Sequence, residues 1–353
     1  MVGRTARHLR RVGRRSTSAR IMAAHVGGEG SGKMKICLVG EGAQGLTHIE
    51  ALREMEDVEI VSLAGGLKDD TEAFAKQWEI PHWTLDYEEA ISRPGVEAVV
   101  LTSPNHIHAE QTVTALEAGK HVLLELPMGL NLADSQRVVE AEKASGKVAM
   151  VCHTQRYNPP FRKVKAMIDA GDLHLHHIVQ QTFFFRRINE NRFGRPRTWV
   201  DDLLWHQACH MVDMVYWLLG DPNMDAWGRM GPIHPTLNIP MDITISLQSA
   251  SGAMVTAAQS FNNHGPILGY YRFIGEEETY ISDKGGLTDH KGNPVPVDDG
   301  PSGVDLQDAE FFAAIREGRP ALTSCSECLP VMETIDRIQR AMNGADGAPS
   351  MPR

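Results

Sequence analysis

The sequence predicts an α/β domain around a parallel sheet, followed by an α+β domain whose open-faced, mostly antiparallel sheet carries helices on one side. Three observations predict this. A glycine-rich run, Gly40-Glu41-Gly42-Ala43-Gln44-Gly45, follows the apolar stretch Met34-Lys35-Ile36-Cys37-Leu38-Val39 and precedes a helix-like stretch over 46–55. Short apolar runs then alternate with helical segments as far as residue 152, the pattern of a parallel sheet covered by helices. Beyond that point several segments alternate apolar with polar residues, the two-residue period of half-buried antiparallel strands.

In the first part, strands are expected over 36–39, 59–63, 98–102, 121–124 and 148–151, with helices between them. Gly119 and Gly146 stand where a helix stops before a strand. Pro104 and Pro127 fall just past strand ends, where the ligand-contacting loops of an open α/β sheet lie. The second part begins with a helix over 159–170, a strand over 177–187, a polar connection over 188–198 and a helix over 200–219. Strands over 243–248, 254–261, 270–274 and 279–282 follow, then helices over 305–317 and 328–342. The expected domains are therefore 34–152 and 153–342, with a basic leader over 1–33 and a tail over 343–353.

The leader has seven arginines and Lys33 against one acid, Glu29. It reads as a disordered, over-extended start, with an Arg-rich transit peptide as the alternative. With 42% hydrophobic and 23% charged residues the chain has globular composition, which excludes a fibrous or wholly disordered class. No apolar run approaches the roughly 20 residues that span a bilayer. The formal charge of −10 argues against nucleic acid as a partner. Five scattered cysteines fit reduced thiols in a cytoplasmic compartment, and Cys325 and Cys328 read as an inert pair at a helix start.

In strand–turn–helix context the glycine run is a dinucleotide-binding fingerprint. Gly40, Gly42 and Gly45 permit a tight turn and close backbone approach to a pyrophosphate, while the N–H groups of Ala43 and Gln44 open the following helix. In NAD sites an acid about 20 residues later holds the ribose 2′-hydroxyl. Here that place reads Leu63-Ala64-Gly65-Gly66-Leu67-Lys68, with no acid and with Lys68 able to attract a phosphate, so NADP is expected; Asp69 and Asp70 keep NAD open.

His206 and His210 are four residues apart and share a helix face. Imidazole titrates near neutrality and suits proton transfer, the alternatives being core hydrogen bonding or a metal pair that lacks any recognised third ligand. Arg156, Arg186, Arg187, Arg195 and Arg197 cluster in sequence. Guanidinium groups bind carboxylates bidentately, which points to a small carboxylated substrate, with Arg186, Arg187 and Arg197 favoured; a solvated charge run is the alternative. Asn158, Asn262 and Asn263 are weaker candidates, Asn158 as a possible helix cap.

These motifs, with Ser103-Pro104-Asn105, His108, Glu125-Leu126-Pro127 and a helix from His206 through Asp213 to Leu219-Gly220-Asp221-Pro222, resemble the glucose-fructose oxidoreductase/inositol dehydrogenase family over 34–340. Within it, Phe183-Phe184-Phe185-Arg186-Arg187, Trp205-His206-Gln207-Ala208-Cys209-His210, Gly231-Pro232-Ile233-His234-Pro235, Ser260-Phe261-Asn262-Asn263 and Leu306-Gln307-Asp308 are similar to the 4-carboxy-2-hydroxymuconate-6-semialdehyde dehydrogenases. The resemblance implies oxidation of the cyclic hemiacetal of an aromatic ring-cleavage product to a 2-pyrone carboxylate such as 2-pyrone-4,6-dicarboxylate. It implies catalytic roles for His210 and His206, and cofactor contact by Ser103, Asn105, His108 and Glu125. The wider family has lysine where this chain has Leu126, which is expected to pack against the nicotinamide. Gln155, His264 and Gly65-Gly66 depart from the branch, which has arginine, aspartate and a basic residue there. Sugar or polyol oxidation, and cofactor binding without catalysis, are the competing readings. A homodimer is expected because an open sheet face needs covering.

Overall fold

The structure is a computed structural model and describes residues 32–191, 194–197, 199, 201–298 and 300–343; the leader up to residue 31 and the tail beyond residue 343 lie outside the described residues. The first sheet is six-stranded and wholly parallel, from β1 (Met34–Val39), β2 (Val58–Ala64), β3 (Trp83–Thr84), β4 (Val96–Leu101), β5 (His121–Leu124) and β6 (Ala149–Val151). Its order, β3-β2-β1-β4-β5-β6, reverses direction between β1 and β4. A crevice opens at such a point, beyond the carboxyl ends of the strands. Every expected strand of this part is present. The extra one, β3, is two residues long and carries too little periodicity to be read from sequence.

Side chains alternate across this sheet. Ile36 and Leu38 point into one apolar cluster, Cys37 and Val39 into the other, and all four are buried. The first cluster also contains Ile49 and Leu52 of α1 (Ala43–Leu52) and Phe311 and Phe312 of α8 (Gly303–Glu317). Thus a helix far along the chain returns to cover the first sheet. Ser302 and Asp305 cap α8 reciprocally, which fixes its start two residues earlier than expected.

The second sheet has seven strands, β7 (Leu175–Phe183), β8 (Asp225–Met230), β9 (Asp242–Gln248), β10 (Met254–Ser260), β11 (Leu268–Gly275), β12 (Thr279–Asp283) and β13 (Gly286–Thr288). Their order is β13-β12-β11-β7-β10-β9-β8, antiparallel except where β7 meets β10. One face is core: Ile245, Ala257 and Tyr271 are buried. The other is open, and Trp227, Ser246, Thr256 and Arg272 form an exposed row across it. Strand β8 escapes the sequence because its run Asp225-Ala-Trp-Gly-Arg-Met230 is half exposed. Its Gly228 is a packing requirement, since a Cβ there would lie 2.7 Å from Ile338 of α9 (Cys325–Met342).

Two expected elements shift. The strand over 177–187 ends at Phe183, so Arg186 and Arg187 leave the sheet, with Phe185 bridging Asn262. The helix over 200–219 begins at Leu203, where the Asp202 side chain accepts the Trp205 N–H. It runs first as a π-helical stretch, Leu203–Ala208, and then as α7, Cys209–Leu219.

Candidate active site

At the reversal point the loop after β4 fixes the glycine turn. Thr102 donates its hydroxyl to the carbonyls of Val39 and Gly40 at 2.7 and 3.2 Å. Gly40 has φ +106, and a Cβ there would fall 2.7 Å from the Thr102 oxygen. At Gly45 a Cβ would lie 2.0 Å from the Gly40 oxygen. By contrast, nothing lies within 4 Å of a Cβ built at Gly42, the N-cap of α1. No side chain caps α1, no acid stands in its first turn, and the first N–H groups of a helix have no helical partner. An uncapped helix start over open space fits a pyrophosphate.

Glu41 is the surprise of this turn. The residue is only 8% exposed, and its carboxylate accepts the backbone N–H groups of Gly66, at 3.2 and 3.1 Å, and Leu67, at 3.3 Å. An acid therefore does face the end of β2, contributed by the fingerprint itself and not by the residues after the strand. Lys68, the first residue of α2 (Lys68–Gln77), is exposed beside it.

Below the turn lies a buried charged cluster. His48 of α1 holds Asp308 of α8 through Nδ1 at 2.8 Å and Glu125 through Nε2 at 3.1 Å. Burial alone would lower the His48 pKa, but Asp308 raises it well above the usual value, so the ring is an imidazolium. Burial would raise Glu125, yet the hydrogen bond and charge of His48, with the Leu126 N–H and Gln44, hold it at about 2. Gln44 donates to Glu125 at 2.8 Å, tying the glycine turn to the end of β5. Ser103 donates to Gln111, and His108 lies 3.0 Å from the Pro127 carbonyl and 2.8 Å from that of Ser103. His108 is 1% exposed and its pKa is lowered by burial. Both side chains, expected at the cofactor, also brace the loops: Ser103 ties the loop after β4 to Gln111, and His108 joins that loop to the one after β5.

Beyond these loops the second domain supplies the histidines. His206 sits in the π-helical stretch and His210 in the first turn of α7, with ring centroids 6.2 Å apart and planes at 88°. The wider π turn changes the stacking expected of residues four apart. Burial lowers the His210 pKa to about 4, assisted by His206 and His153, so its imidazole is neutral near pH 7. Leu126, two residues past β5, is 3% exposed and belongs to the apolar core. His153, just after β6, was not a sequence candidate. It is 1% exposed, is lowered to about 4 by burial, and has Nδ1 3.3 Å from an Asp213 oxygen.

Arg156, a substrate candidate in the sequence, is buried. Its Nε and Nη2 make three hydrogen bonds to Asp213, at 3.1, 2.9 and 2.6 Å, and both side chains are buried. A buried carboxylate requires this partner, and removing either one would strand the other charge at a cost of about 3–5 kcal/mol. The pair accounts for Nε and Nη2 of Arg156. Asn158 heads α6 (Pro159–Asp169) without making a side-chain cap bond, and packs against Gly303. Asn263 donates to the Pro266 carbonyl in its own loop.

The remaining arginines separate. Arg187 donates to the Phe261 carbonyl and to Asn262, and lies over Phe185. Arg195 pairs with Asp70 at 2.9 Å. Arg186 and Arg197 converge on one oxygen of Asp201, at 3.2 and 3.0 Å. The other Asp201 oxygen accepts from Asn105 at 3.3 Å and stands 4.0 Å from His206 Nδ1. Asp201, missed in the sequence, therefore joins two guanidiniums, a histidine and the loop after β4.

Among the described residues two clusters have metal-ligand composition, His48 with Glu125 and Cys152, and His153 with Asp213 and Cys328. Neither suits a divalent cation. Both His48 nitrogens hold carboxylates, Arg156 occupies Asp213, and burial raises both thiols. All five cysteines are free and buried, Cys325 and Cys328 in the first turn of α9. No helix among the described residues is long and apolar enough to cross a membrane.

Residues 34–153 match the family described as "Oxidoreductase family, NAD-binding Rossmann fold", and residues 159–300 match "Bacterial oxidoreductases, C-terminal". The chain is 39% identical over 309 residues to 4-carboxy-2-hydroxymuconate-6-semialdehyde dehydrogenase of Sphingobium sp. strain SYK-6, covering 87% of this chain and 98% of that protein. It is 28% identical over 191 residues to inositol 2-dehydrogenase of Salmonella typhimurium strain LT2, covering 53% and 55%. The structure of levoglucosan dehydrogenase in complex with NADH and L-sorbose superposes with TM-score 0.77 at 20% identity, covering 89% of this chain and 98% of that one, a likeness of fold.

Proposed function

Because the chain belongs to the glucose-fructose oxidoreductase/inositol dehydrogenase family of NAD-binding Rossmann-fold oxidoreductases, we propose that it oxidises the cyclic hemiacetal of 4-carboxy-2-hydroxymuconate-6-semialdehyde, or a close analogue, to a 2-pyrone carboxylate such as 2-pyrone-4,6-dicarboxylate. The observation that carries this reading is the convergence of Arg186 and Arg197 beside His206, a cationic point next to imidazoles. A carboxylate can join that point, since two guanidiniums against the single Asp201 leave one positive charge. The relative at 39% identity, which is aligned over nearly its whole length, supports the same substrate.

In this reading the bound nicotinamide supplies the acceptor for the hydride leaving the hemiacetal carbon. His210, neutral at working pH, takes the hydroxyl proton at a ring nitrogen as the carbonyl of the lactone forms. His206 orients the substrate, Arg186 and Arg197 hold its carboxylates, and Leu126 excludes water. A hemiacetal hydroxyl is more acidic than a simple alcohol, which is consistent with an imidazole base and no lysine. Exposed Lys68 supports NADP as the preferred cofactor, with NAD as the second. The exposed row on the second sheet supports a homodimer, and the free thiols support a cytoplasmic setting.

The test is a substrate panel read at the reduced-nicotinamide absorbance band. The carboxylated hemiacetal is expected to give kcat/KM at least about 100-fold above that for myo-inositol or an uncarboxylated hemiacetal, the worth of a lost charge-assisted pair. A preference for the polyol would overturn the assignment.

A further inference from the structure

We propose that Glu41 sets the discrimination between NAD and NADP, holding the NADP preference down by keeping its carboxylate on the backbone N–H groups that a ribose 2′-phosphate needs. This rests on the nicotinamide-cofactor reading and adds to it the residue that tunes the choice.

The geometry is specific. Gly66 and Leu67 lead into α2, whose N-cap, Leu67, offers no side-chain cap. The exposed amides at a helix start attract an anion. Here the anion comes from the neighbouring turn: both Glu41 oxygens accept from Gly66, and one accepts from Leu67. Among the described residues, and apart from its chain neighbours, the one atom within 4 Å of a Cβ built at Gly66 is Glu41 Oε1, at 3.8 Å, so this carboxylate covers the turn. Glu41 also lies between Gly40, at the end of β1, and Gly42, which starts α1. It therefore stands between the pyrophosphate turn and the end of β2, the side on which NAD sites place their ribose-binding acid.

An ionised carboxylate only accepts hydrogen bonds. It can accept from a ribose 2′-hydroxyl without leaving the amides, whereas a 2′-phosphate brought to the same place meets like charge. The neighbouring charges do not cancel this. The first turn of α2 carries Asp69 and Asp70, the latter paired with Arg195, and Lys68 at its start is a cation that draws the phosphate while Glu41 opposes it. One side chain favours each cofactor. Their balance accounts for an NADP preference that leaves NAD usable.

Glu41→Gln keeps an oxygen for the amides and removes the charge, so the turn stays capped. Fluorescence titration of the full chain with NADPH and NADH is expected to show NADPH affinity rising about tenfold or more, with NADH affinity unchanged or weaker. Lys68→Ala in the same titration is expected to weaken NADPH alone. A Glu41→Gln variant that melts at the parent temperature and shifts both cofactors by the same factor, or shifts neither, overturns the proposal. If the parent protein binds neither nucleotide, the cofactor reading itself fails and this proposal fails with it. If the parent binds both and only the Glu41→Gln selectivity is flat, the cofactor reading stands and this proposal alone is lost.

Discussion

His210→Asn is expected to lower turnover by about 10²–10⁴, the usual worth of a positioned acid or base, while nucleotide affinity stays within twofold or about that. The substitution keeps the size and polarity of the ring's near edge but removes the proton acceptor. Burial holds His210 at about 4, with His206 and His153 adding to the effect, so the neutral form is present throughout the neutral range. The sign follows directly. A base with a lowered pKa is active above that pKa and is lost only as pH falls through it, so kcat/KM for the parent is expected to be flat at neutral pH and to drop with unit slope near pH 4. That acid limb should vanish in His210→Asn, measured over the range in which the protein remains folded. A variant with parental turnover, or with the same acid limb, would assign the proton to another group, the neighbouring imidazoles being His206 and His153.

Gly42→Val is expected to abolish nucleotide binding while leaving the fold intact. Gly42 has φ −71, and among the described residues no atom beyond its chain neighbours lies within 4 Å of a built Cβ, so a side chain starts there without a clash. It projects instead into the space over the uncapped start of α1. The helix loses about 1 kcal/mol from a poorer cap. The control is Gly45→Val, where the Cβ would fall 2.0 Å from the Gly40 oxygen, so that variant is expected to unfold the turn and lower the melting temperature. Cofactor titration alongside thermal melting separates the two. Unchanged affinity in Gly42→Val would contradict the placement of the pyrophosphate.

What the sequence reveals and what it hides divides along sequence separation. The run from Met34 to Gly45 is legible because strand, turn and helix start are neighbours in the chain, and each imposes a local pattern. Strand β8 is hidden because apolar Trp227 stands on its exposed side and Gly228, on its buried side, lacks a side chain where Ile338 of α9 packs. The π-helical stretch at Leu203–Ala208 is hidden because its hydrogen-bond pattern leaves no residue-type signature. At the site, His206, His210, Arg186 and Arg197 could be nominated from residue type and motif, but their partners could not. Asp201 works through Asn105, 96 positions away, and Asp213 through Arg156, 57 positions away. Asp308 meets His48 across 260 positions. Glu41 was passed over because ribose-binding acids are sought after the second strand, while this one reaches the same turn from the fingerprint, 25 positions earlier. Arg156 likewise has a partner that its own stretch of sequence does not show, the buried Asp213, which takes its Nε and Nη2.

The central claim is that an imidazole suffices for this oxidation and that Leu126 is apolar lining. Leu126 is buried in the same cluster as Met128, and the carboxylate beside it, Glu125, is already held by His48, Gln44 and the Leu126 N–H. The direct test is the kcat of Leu126→Lys on the carboxylated hemiacetal, together with its affinity for the oxidised cofactor. A lysine there brings a second positive charge toward the oxidised nicotinamide and finds no free carboxylate, so the account predicts slower oxidation and weaker binding of the oxidised cofactor than in the parent. A Leu126→Lys enzyme that oxidises the same hemiacetal faster than the parent would contradict it.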